Sequence, residues 1–297
     1  SASGVVNTLG AIRQLGGVLT LNKTDANTWE LSGANVYTGA TQVDNGTLRL
    51  GVADALPATT ALRLGTGSTA GTLDLNGFSQ SIGSLVVQSA SDAVTNSLIV
   101  ATGKTLTING AVTLGVDGNA ADTNVSAGGG GSLVVNSGGG NFLIGAATGA
   151  TNDSRVDADF SGLTNFTADL GAGTFRLGDS NSGTEVNPST LRLAVNNTIT
   201  ATTIRVGDGA GGGATHVLTL GSGVNQLRAG EFNIGSAVNR LRSSGSVVFD
   251  PGDTTGSLTL RAADGTDRAN LSLVSTSGNT AANILGTLSL AGHAADL

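Results

Sequence analysis

The chain has 297 residues, of which 47 are glycine and three are proline, and it contains no cysteine or methionine. Glycine costs about 1 kcal/mol at an interior helical position relative to alanine, so the composition excludes a mainly helical protein. A hydrophobic fraction of 39% with a net charge of only −7 also excludes an extensively disordered chain.

Charged residues make up 12% of the sequence, and their distribution excludes some classes of binding partner. Lysine and arginine are scattered, whereas nucleic-acid binding needs them clustered, so no nucleic-acid partner is expected. No apolar run reaches the ~18 residues of a membrane-spanning helix, so this segment is not expected to insert into a membrane. Thiol catalysis and thiolate metal sites are absent without cysteine, and no cofactor is predicted. The chain starts without methionine, which indicates processing or a longer precursor.

The first predicted elements lie in a segment, approximately residues 17–87, whose residues fit a known repeat. The positions that fit are Lys23, Thr28, Leu31, Gly33, Asn35, Tyr37, Gly39, Thr41, Val43, Gly46 and Leu48. Through them the segment resembles the autotransporter-associated β-strand repeat, also called the passenger-associated transport repeat. Asp25-Ala26-Asn27 departs from this repeat, which usually has Gly-x-Gly there, although Asp and Asn also accept a left-handed backbone. The resemblance implies a secreted passenger exposed at a bacterial cell surface, and the remaining sequence is similar in style to long bacterial surface β-helix proteins.

Short strands are predicted through the first half of the chain, where apolar–x–apolar triplets recur at steps of 11–14 residues and are followed by turn residues. In Leu48-Arg49-Leu50 the leucines are expected on one face and Arg49 on the opposite, solvated face. The triplets are Leu48–Leu50, Leu62–Leu64, Leu73–Leu75 and Leu85–Val87.

A longer period is visible in the second half. Between its glycine turns lie a second strand and an asparagine, either Asn197 or Asn225. The pattern apolar–x–apolar–Gly recurs at steps of 28–33 residues, at Phe142–Gly145, Phe175–Gly178, Ile204–Gly207 and Phe232–Gly235. A period of this length with about three short strands is typical of one coil of a parallel β-helix.

The sequence therefore predicts an all-β, right-handed parallel β-helix of roughly 10–12 coils, about 50–60 Å long at ~4.8 Å per coil. We expect one continuous segment over residues 1–297, with passenger-repeat-like coils over 1–140 and longer coils over 141–297. Asn197 and Asn225 occupy equivalent places, and we expect their side chains to form a hydrogen-bonded ladder along the axis.

Nucleotide chemistry is not supported by the glycine-rich segments. Gly207–Gly212 satisfies G-x-G-x-x-G, but a dinucleotide site also needs a following helix, and the next twenty residues are rich in glycine and threonine and have no helical period. Gly103-Lys104-Thr105 resembles the end of a phosphate-binding loop, but Leu98 stands where that motif needs glycine. With only His216 and His293 in the chain, no Ser-His-Asp pattern is present.

Aspartate pairs give the remaining candidates for chemistry. Repeated Asp turns can bind calcium in tandem nonapeptide repeats, but no such tandem is present and Asp also forms turns by default. Asp157 and Asp159 alternate with apolar residues, so both carboxylates face the same side of a strand, as in some polysaccharide-cleaving enzymes. The weak calcium candidates are Asp117 with Asp122, Asp250 with Asp253, and Asp264 with Asp267.

The predicted function is structural: a shaft, stalk or fibre subunit of a bacterial surface protein, and not an enzyme. Neither Ser1–Gly10 nor Ile284–Leu290 has the character of a cap, which predicts continuation into more chain or end-to-end self-association. Lateral self-association into a fibre is the alternative to end-to-end contact. Two alternatives stay open. One is a polysaccharide-cleaving β-helix that uses Asp157 and Asp159, and the other is a glycan- or host-binding adhesin with contacts in loops 117–131 or 207–216.

Overall fold

The computed structural model describes residues 6–89, 91–115, 122–145, 155–178, 188–208, 215–238, 241–277 and 284–297. In this part of the chain every regular element is a β-strand. A helix long and apolar enough to cross a membrane is not found among these residues. The all-β prediction is therefore confirmed.

The described residues form 27 strands, and almost all of the pairing between them is parallel. The first thirteen are β1 Val6–Leu9, β2 Leu21–Lys23, β3 Thr28–Leu31, β4 Thr41–Val43, β5 Gly46–Leu50, β6 Ala61–Gly67, β7 Gly71–Asp74, β8 Gln80–Ile82, β9 Ser84–Ser89, β10 Thr95–Ile99, β11 Thr105–Ile108, β12 Val112–Leu114 and β13 Thr123–Gly128. The others are β14 Ser132–Asn136, β15 Phe142–Ile144, β16 Val156–Gly162, β17 Asn165–Asp169, β18 Thr174–Leu177, β19 Thr190–Arg192, β20 Asn196–Val206, β21 Thr215–Leu220, β22 Val224–Val238, β23 Leu241–Phe249, β24 Ser257–Arg261, β25 Asn270–Ser277, β26 Gly286–Ser289 and β27 Ala294–Asp296.

Strands from successive coils stack into three parallel ladders. Within the described ranges, ladder one has eleven strands: β1, β3, β5, β7, β10, β13, β16, β19, β21, β23 and β26. Ladder two follows β2, β4, β6, β9, β12, β15, β18, β20, β22 and β25. Ladder three follows β8, β11, β14, β17, β20, β22, β24 and β27. Parallel strands joined by a full turn of chain define a β-helix, and its eleven coils agree with the predicted 10–12.

The long period predicted for the second half is the repeat of ladder two. Phe142, Phe175, Ile204 and Phe232 stand in register on four consecutive strands. The glycine that follows each triplet has a positive φ, between 77° and 114°. A left-handed backbone is accessible to glycine without a Cβ penalty, which explains why the residue recurs at the end of these strands.

The triplets of the first half belong to two ladders that alternate along the chain. Leu48 pairs with Leu73 in ladder one, whereas Leu62 pairs with Leu85 in ladder two. Two successive triplets therefore lie in one coil, and the 11–14-residue step is about half of the coil period.

The core is a continuous apolar column inside the ladders, because every second strand residue points inward. Its largest side chains include four phenylalanines near the middle of the chain. The rings of Phe142 and Phe175 stack with centroids 5.1 Å apart, and Phe160 and Phe166 meet each other edge-on at 5.5 Å. Four of the nine aromatic residues of this chain thus pack together in adjacent coils.

The outward strand residues pair between coils. Leu48 and Leu50 are buried and Arg49 points outward, which confirms the predicted alternation. Arg49 is not simply solvated, however, because its guanidinium lies 2.6 Å from the carboxylate of Glu30, directly opposite in the preceding coil. Arg63 makes an equivalent contact with Asp44 at 2.5 Å.

One excursion interrupts the coils. After its parallel part, β22 continues to Val238 and pairs in antiparallel fashion with the start of β23, at Ser236 and Ser243. The end of β25 lies on the other side of β22, with Ser275 opposite Ser236. A small three-stranded extension therefore leaves the regular cross-section.

Candidate functional site

The polar positions of the family pattern converge on the turns of the first coils. Lys23 ends β2, and its side chain is only 4% exposed. Its ammonium group donates to the carbonyl oxygen of Asn45 at 2.8 Å and to that of Asp25 at 2.5 Å. It also lies 3.1 Å from the carboxylate of Asp25. A buried charge is tolerated when it is paired and hydrogen-bonded, so Lys23 serves as a cross-link between turns.

The turn that departs from the family pattern is closed by its own aspartate. Asp25 accepts a hydrogen bond from the indole nitrogen of Trp29 at 2.8 Å and from the backbone nitrogen of Asn27 at 2.8 Å. These two bonds, with the nearby ammonium of Lys23, lower the pKa of the Asp25 carboxyl to about 2. The tight turn that glycine usually supplies is here held by a carboxylate.

Gly46 lies against this turn and shows why the pattern has glycine there. Its φ is +72°, and an added Cβ would lie 2.6 Å from the carbonyl oxygens of both Asn27 and Asp25. Any larger residue would therefore push successive coils apart.

A second polar centre surrounds Asn35 and joins three coils. Its side-chain oxygen accepts from the backbone nitrogen of Ile12 at 2.6 Å, and its amide donates to the carbonyl oxygens of Gly33 at 3.0 Å and Ala55 at 2.6 Å. Ile12 lies in the coil before and Ala55 in the coil after. Asn35 thus satisfies main-chain groups that the ladders leave unpaired.

Tyr37 and Thr41 extend this polar interior. The hydroxyl groups of Tyr37 and Thr41 are 2.6 Å apart, and that of Thr41 lies 3.0 Å from the hydroxyl of Thr60. Thr60 in turn donates to the carbonyl oxygen of Gly39 at 3.0 Å. Burial raises the pKa of the Tyr37 hydroxyl to about 12. The chain of hydroxyl groups bonds internally and presents no reactive group to solvent.

The fold is a parallel β-helix whose polar turn residues bond from coil to coil. Residues 21–50 match the family model described as Passenger-associated-transport-repeat, so this part of the chain carries the repeat that it resembles. The repeat points to a passenger-type β-helix region of an autotransporter, and its family implies a secreted or cell-surface protein. No curated protein and no solved structure matches the chain.

The structure brings Asn197 and Asn225 together inside the helix. They stand opposite each other on β20 and β22, and the amide nitrogen of Asn197 donates to the side-chain oxygen of Asn225 at 2.8 Å. The stack is two residues long, because Phe166 precedes Asn197 and Leu258 follows Asn225 in the same row. Each asparagine also caps a turn: Asn197 donates to Ala194, and Asn225 bonds to both main-chain groups of Gly221.

Asn96 has a similar role that the sequence analysis missed. It is buried on β10, where it accepts from the backbone nitrogen of Gly71 at 3.1 Å and donates to the carbonyl oxygen of Asn124 at 3.2 Å. Gln80 bonds to both main-chain groups of Leu56 in the same way. The available signal was an amide side chain at the inward position of an alternating strand.

Asp157 and Asp159 both lie on β16, and both face outward. Asp157 forms an ion pair with Arg155 and accepts from the hydroxyl of Thr190 at 2.8 Å. Asp159 accepts from the backbone nitrogen of Ser161 at 2.9 Å. Both carboxylates are therefore engaged in structural contacts.

Two of the calcium candidates, Asp250 and Asp264, are engaged in other contacts. Asp264 accepts from the backbone nitrogens of Thr266 at 2.8 Å and Asp267 at 3.1 Å, and these bonds lower the pKa of its carboxyl. Asp250 faces Arg192 at 2.5 Å. Within the described ranges, no three histidine or acidic side chains form a group that could hold a metal ion. The calcium prediction gains no support from this arrangement.

Asp122 lies 3.3 Å from Arg155, whereas its predicted partner Asp117 lies outside the described residues. Several other predicted features also fall wholly or partly outside them: residues 1–5, residues 116–121 of the first candidate loop, and residues 209–214 of the second, which include most of the G-x-G-x-x-G match. His216 is fully buried and accepts from the backbone nitrogen of Ser189 at 3.0 Å.

Proposed function

We propose that this chain is a structural shaft of a surface-exposed or secreted passenger, and that it is not an enzyme. One observation carries the proposal. The described polar and charged side chains that draw attention in the sequence bond to neighbouring turns and coils. Lys23, Asn35, Asn197 and Asn225 do so inside the helix, while Asp157 bonds to Thr190 of the next coil on its surface.

A shaft of this kind works mechanically. In repeat proteins each unit contacts mainly its neighbours, so stability is distributed along the axis. Backbone ladders carry the load, and ion pairs such as Glu30–Arg49 and Asp44–Arg63 add contacts from coil to coil. Stalk, spacer and adhesin shaft are forms of this single role, which is to hold other segments away from the cell.

The test is to display the chain on bacteria through a passenger-translocating anchor and to measure glycan binding and polysaccharide cleavage. We expect intact cells to bind antibody against the segment. We also expect them to bind a glycan array no better than cells that carry the anchor alone. Soluble protein is expected to leave a polysaccharide panel uncleaved. Cleavage that disappears in Asp157→Asn or Asp159→Asn would overturn the proposal in favour of an enzyme, and array binding would favour an adhesin surface.

We also propose that copies of the segment associate end to end. Among the described strands, β1 pairs with β3 alone and β26 with β23 alone, so ladder one has an open edge at both ends. All eleven strands run in the same direction, so β26 of one copy could pair in parallel with β1 of the next. Leu15 and Leu285, near opposite ends, are 101% and 61% exposed. Such head-to-tail contacts form filaments when the rotation does not close a ring.

Light scattering over a concentration series tests this association. We expect masses at multiples of the monomer that rise with concentration, and a shift toward the monomer in the double variant Leu15→Lys/Leu285→Lys. Monomer at every concentration would contradict the association without affecting the proposed structural role.

A further inference from the structure

A small cleft near the last coils contains an unusual pair of side chains. The cleft has a volume of about 170 Å³ and is lined by Phe249, Asp250, Asp253, Ser289 and His293, among others. Asp253 lies in the turn between β23 and β24, and His293 lies in the turn between β26 and β27. The two side chains therefore belong to consecutive coils.

The imidazole of His293 is fixed in position and in tautomer. Its ring stacks on that of Phe249 with centroids 3.7 Å apart and an interplanar angle of 7°. Nδ1 lies 2.9 Å from the carbonyl oxygen of Ala291. A carbonyl oxygen can only accept, so Nδ1 carries the hydrogen and donates it. Nε2 is consequently an acceptor in the neutral ring and a donor in the protonated ring.

Asp253 faces this nitrogen with one oxygen. Its Oδ1 accepts from the backbone nitrogen and the hydroxyl of Thr255, both at 2.9 Å. Its Oδ2 is buried, has no hydrogen-bond partner, and lies 3.8 Å from Nε2 of His293, which is also buried without a partner. Two acceptors face each other when the ring is neutral, whereas protonation supplies both a hydrogen and an opposite charge.

We propose that His293 and Asp253 form a proton-operated clasp that holds the last coil to the preceding one at acidic pH and loosens as the pH rises. The clasp joins the turn before β27 to the turn before β24, which are adjacent strands of ladder three. Its release affects the attachment of residues 290–297 and leaves the earlier ladders paired.

The other acidic groups described near this pair are engaged with arginines. Asp250 lines the same cleft but is paired with Arg192, and Asp296 on β27 is paired with Arg261 on β24. The pKa of Asp253 is lowered, first by the backbone hydrogen bond from Thr255 and also by His293. Its carboxylate therefore stays ionised across the range of about pH 5–8 in which histidines titrate. A protonated imidazole gives this carboxylate both a hydrogen and an opposite charge, so the contact is attractive at low pH and brings two acceptors together at high pH.

Histidine NMR tests the coupling directly. The ring resonances of His293 are assigned with His293→Gln and followed from pH 4.5 to 9, with EDTA in every buffer to exclude metal ions. In Asp253→Asn, which keeps an oxygen for the bonds from Thr255, we expect the His293 midpoint to fall by about 0.5–1 pH unit, roughly 3–10-fold in proton affinity. Asp264→Asn, a turn aspartate of the same kind, is the matched control and should leave the midpoint unchanged. An equal midpoint in wild type and Asp253→Asn overturns the clasp.

Hydrogen exchange tests the structural consequence. After correction for intrinsic rates, residues 290–297 are expected to be several-fold better protected at pH 5.5 than at pH 8 in the wild type. The difference should be lost in His293→Gln and in Asp253→Asn, while protection of the β12–β18 region is unchanged. Protection that does not depend on pH, or a pH dependence that persists in both variants, contradicts the proposal.

Discussion

The ammonium group of Lys23 donates to the main-chain carbonyl oxygen of Asn45 across 2.8 Å, so that a buried charge ties β2 to the turn after β4. Asp25 supplies the balancing carboxylate at 3.1 Å. Residues that mark the passenger repeat thus hold successive coils together. This contact explains a polar residue at an inward position where an apolar one would otherwise be expected.

Lys23→Met is expected to lower the free energy of unfolding of the first coils by about 1–3 kcal/mol, because the carbonyl oxygens of Asp25 and Asn45 lose a charged donor. The single tryptophan, Trp29, lies in the same region and allows fluorescence to report on it during urea unfolding. Lys104→Met, in a half-buried turn further along, is the control. Equal urea midpoints for Lys23→Met and the wild type would contradict a cross-linking role.

The pKa of Asp25 predicts how the first coils respond to acid. The folded pKa of about 2 lies below 3.8, the ordinary value of an aspartate carboxyl, so the carboxylate stabilises the fold above about pH 4. That contribution is lost as the pH falls toward 2. Asp25→Asn removes the titration, and the loss of stability between pH 4 and pH 2 should be smaller in the variant than in the wild type. Urea midpoints of Trp29 fluorescence at pH 2, 3, 4 and 6 measure it, with Asp54→Asn as the control. Parallel curves for the wild type and Asp25→Asn would show that the carboxylate does not contribute.

Gly39→Ala is expected to destabilise the first coils by about 1–3 kcal/mol, the range for overpacking a filled site. An added Cβ would lie 2.4 Å from the carbonyl oxygen of Leu19, in the adjoining coil. Gly10→Ala is the matched control, because no atom lies within 4 Å of the Cβ added there. Thermal melting should separate the two variants by several degrees, and coincident melting curves would mean that the coils can move apart at no cost.

The Asn197–Asn225 pair is suited to a double-mutant cycle. Asn225→Ala is expected to cost about 2–3 kcal/mol, because it leaves the main chain of Gly221 and the carbonyl of Ser257 without a partner. Asn197→Ala should cost less, and the coupling energy between the two should be about 0.5–1.5 kcal/mol. Chemical denaturation measures all four proteins, with the outward-facing Asn233→Ala as the control. Strict additivity would show that the side-chain bond between Asn197 and Asn225 contributes nothing.

Much of the fold can be predicted from the sequence, because each coil is marked by local patterns of apolar residues and turn residues. The spacing of four triplets predicts the coil repeat of the second half, and the triplets stand in register. They begin at Phe142, Phe175, Ile204 and Phe232. The first-half triplets are recognisable as strands, but the sequence does not show which ladder each one joins. The residue alternation of a strand shows only which of its faces is buried. Which strand it pairs with depends on the number of residues in each intervening turn.

The roles of the polar residues, unlike the strands, could not be predicted from the sequence. Composition, strand alternation and glycine turns by themselves determined an all-β stacked architecture, since they restrict each residue's own backbone and the face that it buries. Only the tertiary structure decided what the polar residues do. Lys23 and Asn45 are 22 residues apart in the chain, and Asp253 and His293 are 40 apart. Their contacts arise because variable turns bring successive coils into a register that no local pattern encodes.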